Sequence, residues 1–70
     1  MKLSEMNLKV GDFVKGNSIW EIVQIKGNIF IGKRVVCCAF KNEIGTVSGL
    51  STRSNWTLVE NIEEEKAKWL

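Results

Sequence analysis

Residues 19–40 read IWEIVQIKGNIFIGKRVVCCAF, and this stretch decides the fold. Two runs rich in Ile, Val and aromatic residues, 19–26 and 29–40, are separated only by Gly27 and Asn28. Both separating residues tolerate positive φ, so the pair predicts a tight β-hairpin. Gly32 interrupts the second run, and a glycine inside a strand predicts a bulge or a sharp bend. A half-buried strand alternates apolar and polar side chains. Here the alternation fails: one face carries Val35, Cys37 and Ala39, the other Val36, Cys38 and Phe40. Both faces need cover, from the curl of a barrel, from the C-terminal helix or from a second copy of the chain. Burying Val36 and Phe40 is worth about 1.5–3 kcal/mol each.

Shorter elements flank the hairpin. Ser4 is placed to cap one helical turn ending near Leu8, with Leu3 and Met6 or Leu8 resting on the core. Gly11 and Asp12 form a turn signal, and Phe13, Val14 and Lys15 a short first strand. After the hairpin come a turn at 41–43, a weaker strand at 44–50, a polar turn at 51–55 and a closing strand at 56–60. Residues 61–70 change to helical character. Asn61 is an N-cap with Glu64 three residues on, Glu63, Glu64 and Glu65 fill the first turn, and Lys66 and Lys68 the last. So short a helix is marginal in water, so Ile62 and Trp69 must dock on something. No helix of crossover length lies between strands, which makes the sheet antiparallel. The expectation is a mainly β, five-stranded antiparallel small barrel (10–60) with a short C-terminal α-helix (61–70), one domain over 1–70.

Composition narrows the function. The chain has 70 residues, 44% of them hydrophobic, a formal charge of +2 and no histidine, tyrosine or proline. Without histidine, Ser-His-Asp, Cys-His and HExxH arrangements are all absent, and a non-enzymatic protein is expected. No cofactor is implied. No apolar run approaches the ~20 residues that cross a bilayer. Residues 1–5, MKLSE, lack the apolar core of a signal peptide, so no membrane association and a cytoplasmic location are expected. The eight Lys against two Arg, with seven Ile and six Asn, fit an AT-rich genome, such as a low-GC bacterium or its phages.

Three segments carry a family resemblance: VGDFV (10–14), WEIVQIKGN (20–28) and WTLVEN (56–61). Together they resemble the entering strand, central hairpin and closing strand of SH3-like small β-barrels, including those of short phage and prophage proteins. The resemblance spans residues 10–60, is one of fold, and carries no catalytic residues across. The acidic-then-basic helix at 61–70 departs from the usual pattern and is placed to cover a surface that such barrels use. Tyrosine and an acidic loop, on which proline-motif recognition depends, are missing.

The adjacent Cys37 and Cys38 are read as small apolar strand residues, because a disulfide between neighbours is strained and no CxxC or histidine completes a metal site. Lys15, Lys33, Arg34, Lys41 and Arg53 form a candidate basic surface, and Val36, Phe40 and Trp69 a candidate interface or core. Residues 1–59 hold eight basic and four acidic side chains, and residues 60–70 hold two basic and four acidic. A protein partner or a homodimer is the first expectation. A nucleic-acid-binding barrel using the basic residues is the alternative.

Overall fold

The computed structural model describes residues 1–37 and 44–69, the side chain of Cys37 aside. A short 3-10 helix, Leu3–Glu5, precedes β1 (Phe13–Lys15), β2 (Ser18–Lys26), β3 (Ile29–Cys37), β4 (Val47–Leu50), β5 (Thr57–Val59) and α1 (Ile62–Trp69). The strands form one antiparallel sheet in the order β4-β3-β2-β1-β5. The mainly β architecture with a C-terminal helix is as the sequence reading expects. Closure is not: β4 and β5 are the two edges of an open sheet rather than partners across a barrel seam. The outer strands are only three or four residues long, and the chain covers the sheet's faces by another route.

The β2–β3 hairpin turns at Gly27 and Asn28, with Lys26 opposite Ile29. Gly27 takes a φ of 59°, while Asn28 keeps an ordinary negative φ, the pattern of a turn with glycine at its first central position. The register slips twice. Val23 is extra on β2, between the Ile22–Gly32 and Gln24–Ile31 pairs, and Val35 is extra on β3, between the Arg34–Trp20 and Val36–Ile19 pairs. The first irregularity lies across from Gly32, and the second is three residues further along β3. What Gly32 supplies is space: a β-carbon there would lie 3.0 Å from Leu50 Cδ1 and 3.2 Å from Trp20 Cβ.

Side chains alternate across a strand, and here each face of the sheet has its own apolar cluster. Val14, Trp20, Ile22, Phe30 and Leu50 pack on one face. Leu3 lies fully buried in this cluster, with Met6 and Leu8 against it, so the N-terminal segment is the cover. The 3-10 turn is capped at Lys2 instead of Ser4. The Lys2 N–H donates to Glu5 Oε1 (2.9 Å), and the Glu5 N–H donates to the Lys2 carbonyl (2.9 Å). Ile19, Val36 and Val59 pack on the opposite face with Phe13 and Val35, and there Ile62 and Trp69 of α1 provide the cover. The Asn61 Oδ1 accepts the Glu64 N–H at 3.2 Å, which fixes the start of that helix.

Ala at Gly32 must push Leu50 or Trp20 out of place, at a cost of about 1–3 kcal/mol. Nothing lies within 4 Å of a β-carbon at Gly49 on the neighbouring strand. Urea unfolding is expected to show a clearly lowered midpoint for Gly32→Ala and little change for Gly49→Ala.

Candidate binding surfaces

The candidate basic residues are dispersed by the strand period. Lys33 and Arg34 are neighbours in β3 and so project from opposite faces. Lys33 is exposed beside Glu21 and Val47 on the helix-covered side of the sheet. Arg34 lies over the Trp20 ring, 4.5 Å from its centroid, where cation–π attraction and the apolar stem both favour it. Lys15 Nζ donates to Glu65 Oε1 at 2.8 Å. Arg53 belongs to the exposed polar turn, with its N–H donating to Ser51 Oγ at 3.3 Å. Lys41 lies outside the described residues. The four described basic residues do not converge on one surface.

The candidate interface residues divide similarly. Val36 is core, and Trp69 is half-buried against it. Phe40, Cys38 and the Cys37 side chain lie outside the described residues. The two-sided greasiness of β3 is met, at Val35 and Val36, by the slip in register and by the docked helix.

Two features escaped the sequence reading. The first is the uncovered outer half of the helix-bearing face. Ile29 and Val47 remain 60% and 58% exposed there, with half-buried Ile31 between their strand positions. Ile44, just before β4, is 51% exposed. Among the described residues no further strand pairs with the outer edge of β4. The second is the setting of Trp56. Its indole Nε1–H donates to the Ser51 carbonyl at 2.9 Å, and its ring packs on the Leu3-bearing cluster. Its main chain pairs with Met1 in both directions: the Trp56 N–H donates to the Met1 carbonyl at 2.6 Å, and the Met1 amino group donates to the Trp56 carbonyl at 3.0 Å. Neither feature has a local sequence signature, because each joins segments far apart in the chain.

Among the described residues no group of three or more Cys, Asp or Glu is placed to hold a metal ion. No helix among them is long and apolar enough to cross a membrane. No protein-family model, curated protein or solved structure matches the chain.

The ion pair under α1 has a pH signature. The hydrogen bond from Lys15 lowers the Glu65 carboxyl below its ordinary 4.5, against the opposing effect of burial. A carboxyl with a depressed folded-state pKa stabilises the fold above the unfolded-state value and loses that contribution as pH falls through the folded-state value. Glu65→Gln is therefore expected to lower the urea midpoint at pH 7. The gap from the unsubstituted protein should narrow as pH falls below about 4.5, measured by unfolding across pH 7 to 2.

Proposed function

We propose that this protein is a non-enzymatic binding module that docks another protein chain along β4. The observation that carries this reading is the β4 edge, unpaired among the described residues, together with exposed Val47 on β4, Ile29 on the neighbouring β3 and Ile44 shortly before β4. Backbone groups on an open edge add a strand from a partner, and apolar side chains beside it supply burial and select register. Burying Val47 and Ile29 against a partner is worth about 1.5–3 kcal/mol each. The meander β4-β3-β2-β1 with β5 beside β1 fits the likeness to SH3-like modules, a fold that hosts many functions, binding among them. A second copy of the chain is one partner that fits, since two such edges pair by a two-fold axis. Dispersal of Lys15, Lys33, Arg34 and Arg53 leaves nucleic-acid binding the weaker reading, because phosphate recognition draws on clustered cations.

Site-specific photocrosslinking tests this. A benzoylphenylalanine at position 47, expressed in the source cells, is expected to trap one discrete protein adduct, and the same probe at exposed position 53 is not. Equal labelling at both positions, or no adduct at 47 alongside salt-sensitive oligonucleotide binding by the purified protein, contradicts the proposal.

A further inference from the structure

A small pocket opens between the β1–β2 turn and the loop that joins β4 to β5. Gly16, Asn17, Ser54, Asn55 and Trp56 line its volume of about 240 Å³. Trp56 is held in three ways: by its main-chain pairing with Met1, by its Nε1–H to the Ser51 carbonyl, and by the core under its ring. Gly16 fits close against the six-membered ring, where a β-carbon would lie 3.2 Å from Cζ3. The half-buried ring is thus a rigid aromatic platform, and a platform ordered in advance loses little entropy on binding.

The rest of the lining is polar and uncharged. Among the described residues, the side chains of Asn17, Ser54 and Asn55 have no hydrogen-bond partner. Each amide offers both donors and an acceptor, and the hydroxyl offers one of each kind. No lysine, arginine, aspartate or glutamate lines the cavity, so no lining side chain offers a phosphate or carboxylate a counter-charge. The volume is below the roughly 300 Å³ at which drug-sized ligand sites begin, so one ring is the natural occupant.

We infer that this pocket binds a single neutral sugar ring. The apolar C–H face of a pyranose lies on the Trp56 ring, and its hydroxyls, which also donate and accept, bond to Asn17, Ser54 and Asn55. A proline ring would use the platform, and its carbonyls would accept from the amides, but it brings no N–H or O–H of its own for the amide and hydroxyl acceptors. A nucleotide would stack but bring an uncompensated phosphate. The pocket uses none of Ile29, Ile44 and Val47, so it is tested separately from the protein-docking proposal.

Amide NMR titration of the whole protein tests the inference, with methyl glycosides of glucose, galactose, mannose and N-acetylglucosamine as probes, and with adenosine monophosphate and N-acetylprolinamide for comparison. At least one glycoside is expected to cause saturable shifts confined to residues 16–17 and 54–56 and the Trp56 indole N–H, with millimolar affinity. Asn55→Ala should weaken that binding about fivefold or more through loss of a hydrogen bond, with the rest of the spectrum unchanged. Absence of glycoside shifts up to about 50 mM overturns the inference. So does binding of the nucleotide or the proline derivative there in preference to every glycoside, or an Asn55→Ala variant that binds as the unsubstituted protein does.

Discussion

The whole architecture depends on one constraint: a small sheet that is greasy on both faces must have both of them covered. Trp20, Ile22 and Phe30 need cover on one side, and Ile19, Val36 and Val59 on the other. A closed barrel hides one face inside and leaves the other to water. Here the sheet stays open, and the two ends of the chain divide the task. The segment around Leu3 seals one face, and Ile62 and Trp69 of α1 seal the other. Neither cover has substance alone. A three-residue 3-10 turn and an eight-residue helix do not persist in water without packing. Sheet and covers are therefore stable only together, as is usual where a short chain has little area to bury.

Polar interactions then fix where each cover sits. The Lys15–Glu65 pair links the end of β1 to the middle of α1, with the carboxylate largely buried and the ammonium partly in water. An ion pair in that setting contributes modestly to stability, but it selects one rotation of the helix. The Asn61 cap does the same for the helix start. At the other end, the Met1–Trp56 main-chain pairing places the N-terminal segment beside the loop before β5. One result is that the Trp56 indole is rigid where it meets the pocket. Another is that the outer half of the helix-bearing face, around Ile31 and Val47, lies beyond the reach of an eight-residue helix.

Much of the fold was legible in local pattern. Gly27-Asn28 between two β-rich runs marks the hairpin, and the failed alternation after Arg34 marks a strand that must be covered on both sides. Asn61 and the ordered charges that follow mark the helix. What escaped was non-local. The Leu3 segment and Ile62 with Trp69 were legible as groups that must pack on the sheet, but not that they take the place of barrel closure. Gly32 marked the slip at Val23 across from it, whereas the slip at Val35 has no glycine beside it and no local signal. Lys33 and Arg34 project from opposite faces, a separation the strand period already contains. That Lys15 is engaged by Glu65, fifty positions away, has no trace in the sequence pattern. The Trp56 pocket joins residues 16–17 to residues 54–56 and was invisible for the same reason.

The division of labour between the chain ends is tested most directly by nuclear Overhauser contacts in the intact protein in solution. The two-lid arrangement predicts cross-peaks from the Leu3 methyls to the Val14 and Trp20 side chains, and from the Trp69 indole to Ile19 and Val36, with none exchanged between the sets. Contacts from both terminal segments to the same face, or Trp69 resonances in free solvent with Ile19 still protected, would contradict it.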